Sequence, residues 1–196
     1  MITLYGRRNS SNTAKIYWAL DALGLTYDLR ETGRGYAPTD TPSYRRLHPH
    51  GKVPALEVNG GAIWESHSIL RYLGAEYDTP LWPTDPVARA QADAWMDWIA
   101  TALVPPLGRY RKAEDAEKAT LFSPVAAAFT ALDTRLCETP WIAGETMTLA
   151  DIAAAPAVHR WFLISAPRPA LHGLGAYRDR LRMCEGYRAH VEAALD

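Results

Sequence analysis

The sequence predicts an α/β domain followed by an all-α domain. In the first part of the chain strand-like and helix-like patterns alternate, whereas beyond residue 86 only helical periodicity occurs. Between the two parts, residues 78–86 are rich in proline and follow neither period. A chain of 196 residues is long enough for two small domains. We therefore expect domains at residues 1–77 and 87–196, joined by a linker at residues 78–86.

The first half begins with a strand, a helix and a second strand. Residues 2–5 and 26–29 alternate apolar and polar side chains, which is typical of strands, and residues 12–23 carry apolar side chains at helical spacing. Gly24 stands where a helix C-terminal cap belongs. Because a helix connects the two strands, we expect them to be parallel.

The rest of this half predicts a short helix, a hairpin and a longer helix. Pro42 opens a helix at residues 42–47. Two short strands then flank Asn59-Gly60, which is a strong hairpin signal, and Ser66 is expected to cap the next helix. The order β-α-β followed by β-β-α is that of a thioredoxin-like domain. Beyond the linker, a helical bundle is predicted from four periodic segments, residues 87–110, 116–138, 149–162 and 176–195.

Composition and charge exclude several classes of protein. Lys plus Arg (21) nearly balances Asp plus Glu (22), so nothing attracts the chain generally to nucleic acid or to an anionic membrane. The N-terminal residues lack the apolar stretch of a signal peptide, and no apolar run approaches the ~20 residues that cross a bilayer. Cys137 and Cys184 have no partner at metal or CxxC spacing. We expect a soluble, cytoplasmic protein without a metal.

Three polar residues follow the first predicted strand: Ser10, Ser11 and Asn12. The start of a helix presents backbone N–H groups and a partial positive charge, which favour an anion such as a thiolate. A serine hydroxyl that donates to a sulfur stabilises the thiolate and lowers the thiol pKa from about 8.5. The alternative interpretation is that these residues only cap the helix.

Two further pairs of residues, Val53-Pro54 and Glu65-Ser66, could bind the backbone and the charged end of a peptide-like ligand. Pro54 begins a predicted strand; if its peptide bond is cis, the turn exposes the N–H and C=O of Val53 to another backbone. At the start of the third helix, Ser66 and the first-turn amides can receive a carboxylate, while Glu65 can meet an ammonium group. Glutathione carries a thiol, a peptide backbone, and a γ-glutamyl end with both charged groups.

The chain resembles the cytosolic glutathione transferase family from residue 2 to about residue 191, most closely its serine-type bacterial, theta and phi-like members. The resemblance rests on residues 4–15, Val53-Pro54, Glu65-Ser66 and residues 148–151. It implies that Ser10 donates to the glutathione sulfur, with Asn12 and then Ser11 as alternatives. It further implies a set of glutathione-binding residues: Val53 and Pro54 for the cysteinyl backbone, Glu65 and Ser66 for the γ-glutamyl group, and Lys52, with Arg34 or His50 as substitutes, for the glycyl carboxylate.

The resemblance also implies a second substrate, a small and hydrophobic electrophile bound in a cleft between the halves. The candidate lining residues are Arg7, Trp98, Arg109, Tyr110 and Trp161. The aromatic ones also suit simple core or dimer packing, and His48 is expected to be a solvated loop residue. Asp151 forms a capping box with Thr148 and is assigned a structural role.

The implied protein is a homodimeric glutathione transferase that uses glutathione as co-substrate. A glutathione-dependent thiol reductase or peroxidase is an alternative, although that type places a cysteine near Ser10 and residues 1–136 contain none. A glutathione-dependent isomerase and a non-catalytic glutathione-binding scaffold protein are also compatible with these residues.

Overall fold

The computed structural model describes residues 1–195, which form two compact units. The first unit contains residues 1–79 and the residues from Glu185 onward. Its sheet has four strands in the order β2-β1-β3-β4, with β1 parallel to β2 and antiparallel to β3. The strands are β1 (Ile2–Gly6), β2 (Asp28–Glu31), β3 (Ala55–Val58) and β4 (Gly61–Trp64). The parallel pair and the hairpin are confirmed, while β2 begins two residues later than predicted.

Three helices accompany this sheet: α1 (Ser11–Ala22), α2 (Pro42–Leu47) and α3 (Ser66–Glu76). Helices α1 and α3 pack against each other. Ile16 and Leu20 of α1 and Ile69 and Leu70 of α3 are fully buried, so these two helices supply much of the first unit's core. Glu65, and not Ser66, occupies the N-cap position of α3.

The second unit, residues 80–184, is all helical. It contains α4 (Pro86–Trp98), which passes through a π-helical segment (Ile99–Leu103) into α5 (Val104–Lys112), then α6 (Asp115–Glu138), α7 (Leu149–Phe162) and α8 (His172–Met183). The last predicted helix differs most from the structure: α8 begins four residues before the predicted start and ends at Met183. Within residues 1–195, no helix is long and apolar enough to span a membrane.

After α8 the chain returns to the first unit and packs on α1. This C-terminal segment comprises α9 (Glu185–Tyr187) and a π-helical turn (Arg188–Glu192). His190 Nε2 lies 2.6 Å from Asp21 Oδ2, and the ring centroids of Tyr187 and Trp18 are 6.2 Å apart. The structure therefore divides the chain between residues 79 and 80, inside the predicted linker, and assigns the last residues to the α/β unit. Sequence patterns place them in the helical domain.

The capping box at the start of α7 is confirmed. Asp151 is fully buried and accepts hydrogen bonds from Thr148 N at 2.7 Å, Ile142 N at 3.0 Å and the Tyr177 hydroxyl at 2.9 Å. Burial raises the pKa of Asp151 to about 6, against the opposing effect of these donors. All four residues belong to the helical core, in keeping with the structural role assigned to Asp151.

Candidate functional site

Ser10 lies in the turn between β1 and α1, where it is the N-cap residue of α1. Its Oγ accepts a hydrogen bond from Thr13 N at 3.3 Å, and its backbone N–H donates to Arg7 O at 3.2 Å. Within residues 1–195 the Ser10 hydroxyl donates a hydrogen bond to no acceptor. The side chain is 8% exposed. Ser10 therefore caps the helix through its oxygen and still has a proton to donate, so capping and thiolate binding are compatible.

The two alternatives to Ser10 are placed differently. Ser11 is the first residue of α1 and is half-buried. Asn12 is exposed, and its Oδ1 accepts a hydrogen bond from Lys15 Nζ at 3.1 Å. This bond uses the Asn12 carbonyl oxygen and leaves its NH2 group able to donate. Of the three residues, Ser10 is the N-cap of α1 and the most buried.

Lys15 is a buried cation that sequence reasoning did not select. It is 3% exposed, and its Nζ lies 3.1 Å from His67 Nε2 and 3.5 Å from Ser66 Oγ, in addition to Asn12. Burial lowers the pKa of Lys15 to about 8, and the negative charge of Glu65 opposes this shift. Lys15 therefore links the start of α1 to the start of α3. No signal in the sequence pointed to Lys15, because the continuous burial of residues 13–20 is a property of the folded chain.

The Val53–Pro54 peptide bond is cis, the condition under which the sequence predicts an exposed backbone at Val53. Val53 is half-buried, and no hydrogen bond within the described part of the chain uses its N–H or C=O. Its neighbour Lys52 is exposed, although the Lys52 carbonyl accepts from the Tyr44 hydroxyl at 2.6 Å. Val53 thus offers one unused donor and one unused acceptor to an extended peptide.

The start of α3 has two features of a ligand-binding position. Glu65 adopts a φ of 68°, a conformation that costs a non-glycine residue ~1–3 kcal/mol and is common at functional sites. No side-chain hydrogen bond caps this end of the helix. Glu65 is exposed, whereas Ser66 is 4% exposed and within reach of Lys15. A carboxylate and an ammonium group would each find a complementary group here.

The histidines before Val53 differ from each other, and the expectation for His48 is wrong. His48 is 1% exposed, because its ring packs 5.4 Å from that of Trp64. Burial also lowers the pKa of His48. His50 is exposed, and its ring centroid lies 5.4 Å from that of Trp64. Only His50 of this pair is thus accessible to a glycyl carboxylate.

Arg7 belongs to the same turn as Ser10, and its guanidinium packs against Gly33. A Cβ on Gly33 would lie 3.0 Å from Arg7 Nη1 and 3.6 Å from Val53 Cγ1, so both side chains border one small space. Arg34 follows directly, with a φ of 34°. The structure therefore brings Arg7, Arg34, Val53 and Ser10 to one region of the α/β unit.

The other candidates lie in the helical unit and differ in accessibility. Arg109 is exposed and Trp98 is half-buried, with its ring 5.4 Å from Trp95. Tyr110 is buried, and Trp161 is 1% exposed, stacked at 4.5 Å on Phe129, although it borders a cavity of about 570 Å³. The structure thus favours packing for Tyr110 and Trp161 and leaves Trp98 and Arg109 accessible.

Family models and relatives agree with this architecture. The model described as the glutathione S-transferase N-terminal domain matches residues 1–75, and the C-terminal domain model matches residues 95–181. Glutathione S-transferase GstB of Escherichia coli (strain K12) is 34% identical over 190 residues, which cover 87% of this chain and 89% of GstB. Elongation factor 1-gamma 1 of Oryza sativa subsp. japonica is 29% identical over 160 residues, which cover 77% of this chain and 38% of the factor.

Solved structures show the same likeness. A theta class glutathione S-transferase from Xanthomonas axonopodis pv. citri, with glutathione bound, has a TM-score of 0.90 and 33% identity, over 97% of this chain and 96% of that one. A glutathione S-transferase from Pseudomonas fluorescens has a TM-score of 0.85 and 25% identity, over 94% and 96% of the two chains. The fold, the family models and the identity to GstB agree, and the chain therefore belongs to the glutathione S-transferase family of enzymes.

Proposed function

We propose that the protein binds glutathione in its α/β unit, stabilises the thiolate with Ser10, and lets the sulfur attack a small electrophile. The observation that carries this proposal is the state of Ser10: its oxygen caps α1, while its hydroxyl proton has no acceptor within residues 1–195. A donor held at a helix start, where the helix dipole also favours negative charge, suits a thiolate.

The tripeptide would bind along residues that the structure leaves available. The cysteinyl backbone pairs with the unused N–H and C=O of Val53, beside Pro54. The γ-glutamyl carboxylate meets Ser66 and the uncapped start of α3, and its ammonium meets Glu65. Lys52, His50 and Arg34, all exposed, are the candidates for the glycyl carboxylate. This extended binding mode would place the sulfur at Ser10.

The reaction needs only a thiolate and a positioned acceptor. The sulfur lone pair forms the new C–S bond, and the leaving group departs with the electrons of the bond that breaks. Stabilisation by Ser10 increases the thiolate fraction: a thiol with the reference pKa of about 8.5 is only about 3% ionised at pH 7. Holding both reactants in one site supplies the other main contribution. Of the acceptor-site candidates, Arg7, Trp98 and Arg109 are retained.

The test combines calorimetric glutathione binding with an absorbance titration of the bound thiolate. We expect Ser10→Ala to retain glutathione affinity within a few-fold, because the backbone contacts remain. The pKa of the bound thiol should rise by about one unit or more, and each unit lowers the thiolate signal near neutral pH by up to about tenfold. Ser11→Ala is the matched control, one residue away, and should keep the thiolate signal.

Two results would count against the proposal. If the wild-type protein binds no glutathione, the transferase function is wrong. If Ser11→Ala or Asn12→Ala removes the thiolate signal and Ser10→Ala does not, glutathione binding stands and the donor is misassigned.

A non-catalytic glutathione-binding protein is the second candidate. The chain is also similar to elongation factor 1-gamma 1, a protein that is not named as a transferase, and a shared fold does not by itself imply a shared activity. Glutathione binding without turnover over a broad electrophile panel would favour it. A thiol reductase is less favoured because the α/β unit contains no cysteine; both cysteines belong to the helical unit. A homodimeric assembly and a cytoplasmic location complete the proposal.

A further inference from the structure

Arg7 is a half-buried arginine whose guanidinium has no anionic partner within residues 1–195. Its Nε is buried and makes no hydrogen bond in that range. Its Nη1 packs closely against Gly33, where a Cβ would lie only 3.0 Å from it. A buried N–H donor without an acceptor costs free energy, and arginine stays charged in proteins, so it cannot reduce this cost by losing a proton. The position of Arg7 thus calls for a ligand.

The loop that carries Arg34 is held in a defined shape next to Arg7. Gly33 N donates to Ala37 O at 2.8 Å, and Tyr36 N donates to Gly33 O at 3.3 Å. Gly33, Arg34 and Gly35 have consecutive positive φ values of 81°, 34° and 86°. For Arg34, which has a Cβ, this conformation is strained. The loop therefore holds the backbone of Arg34 directly after Gly33, the residue that Arg7 Nη1 approaches, at a cost in backbone energy.

The charges around Arg7 reinforce this interpretation. Burial and the positive charge of Arg34 both lower the pKa of Arg7, and the opposing influence comes from the phenol of Tyr36, which is 48% exposed. Neither arginine forms an ion pair with a carboxylate in the described part of the chain. The two positive charges repel each other, and an anion bound by both arginines would relieve this repulsion.

The arginine pair also lies close to the proposed position of the reacting sulfur. Arg7 O accepts from Ser10 N, so the two residues share one turn. The space in front of Gly33 is bordered by Arg7 Nη1 and by Val53 Cγ1, and Val53 is the proposed partner of the cysteinyl backbone. An anion held by Arg7 and Arg34 would therefore stand beside the cysteinyl group. The exposed Lys52 and His50 are left for the glycyl end.

We propose that Arg7 and Arg34 form a carboxylate-binding site for the second substrate, so that the preferred electrophiles are small and anionic, with a carboxylate close to the carbon that the sulfur attacks. This inference rests on the proposed function and revises the hydrophobic acceptor that the family resemblance implies. The carboxylate takes no part in the bond changes. It orients the electrophile while the C–S bond forms and the leaving group departs.

The test compares two conjugates that differ in one charged group beside the sulfur, S-(carboxymethyl)glutathione and the neutral S-(carbamoylmethyl)glutathione. Calorimetric dissociation constants are measured for both and for glutathione. We expect the wild-type protein to bind the carboxymethyl conjugate at least about tenfold more tightly than the carbamoylmethyl one, as for a charge-assisted arginine contact. This preference should weaken as ionic strength rises.

Three variants localise the effect. Arg7→Met should reduce the preference to about threefold or less, while glutathione affinity, which also reports correct folding, changes little. Arg34→Met should reduce the preference to the same extent; because Arg34 is also a candidate for the glycyl carboxylate, its readout is the ratio of the two conjugate affinities and not glutathione affinity. Arg7→Lys keeps a charge without the planar fork and should retain part of the preference. Arg8→Met is the matched control: Arg8 is exposed and stacks 5.8 Å from the Tyr17 ring centroid, so its loss should leave the preference unchanged.

Each contrary outcome overturns the inference. Equal wild-type affinity for the two conjugates removes the carboxylate site and leaves the transferase function intact. If Arg7→Met or Arg34→Met weakens glutathione and both conjugates equally, the arginines bind a carboxylate of glutathione itself. If neither glutathione nor a conjugate binds, the proposed function fails together with the inference.

Discussion

Lys15 provides the most quantitative prediction, because its environment changes the pH dependence of stability. In the folded protein the pKa of Lys15 falls from 10.5 to about 8, since the side chain is 3% exposed. Between these two values the unfolded chain holds a proton that the folded chain releases. The free energy of unfolding therefore rises with pH in this window, by at most about 1.4 kcal/mol per pH unit and about 3 kcal/mol in all.

The perturbation is Lys15→Met, because the methionine side chain is similar in length to lysine and carries no charge. Reversible denaturant unfolding is measured for both proteins from about pH 7 to about pH 10.5, a range that spans both pKa values. The unfolding free energy of the wild type minus that of the variant should increase by about 3 kcal/mol across the range. This difference removes the contribution of the tyrosines to the pH dependence, because both proteins share it. Among them are Tyr17 and Tyr44, whose pKa values burial raises to about 12. Lys52→Met replaces an exposed lysine and should give a curve parallel to that of the wild type.

A difference that stays flat across this pH range would refute the reasoning. It would mean that the contacts with Asn12, Ser66 and His67 stabilise the ammonium enough to offset its burial. A second measurement adds glutathione. A carboxylate bound at Ser66 would raise the pKa of Lys15, so the slope should then decrease.

Two further predictions concern the framework around the site. Asp151→Ala leaves three donors without an acceptor in the core, namely Ile142 N, Thr148 N and the Tyr177 hydroxyl, and should lower the free energy of unfolding by roughly 3 kcal/mol or more. The control Asp133→Ala loses only the bond from Leu174 N and should cost about 1 kcal/mol. Equal losses in denaturant unfolding would contradict the structural role of Asp151. Gly186→Ala should destabilise the protein by about 1–3 kcal/mol, because the new Cβ would lie 2.1 Å from Trp18 Cδ1. The control Gly175→Ala, inside α8, places its Cβ where no atom lies within 4 Å and should be neutral or stabilising. If thermal unfolding shows Gly175→Ala to be the less stable of the two variants, the C-terminal segment is not packed on α1.

The secondary structure of the α/β unit could be predicted well because its signals are local. The Asn59-Gly60 turn, the apolar alternation of β1 and the proline at the start of α2 act over a few residues. The C-terminal segment was misassigned for the opposite reason. Its helical period is real, but its partners, Asp21 and Trp18, are more than 160 residues away in the sequence. Periodicity shows that a helix is amphipathic, but it does not show against which surface the apolar face packs.

The candidate site shows the same division. Sequence alone proposed Ser10, Val53 and Glu65 because a helix start, a proline at a strand start and a second helix start each have a recognisable chemistry. It missed Lys15 and expected a solvated His48, because burial depends on neighbours that only the folded chain supplies.

The sequence by itself thus determined the order of the elements, and it proposed the groups that would bind a thiol tripeptide, since both follow from residue type and short-range spacing. Only the tertiary structure decided which charges lack a counterion. Lys15 meets Ser66 and His67 across about 50 residues, and Arg7 meets the loop of Arg34 across more than 20. Electrostatic energy depends on distance and burial in space, and neither quantity is encoded by position along the chain.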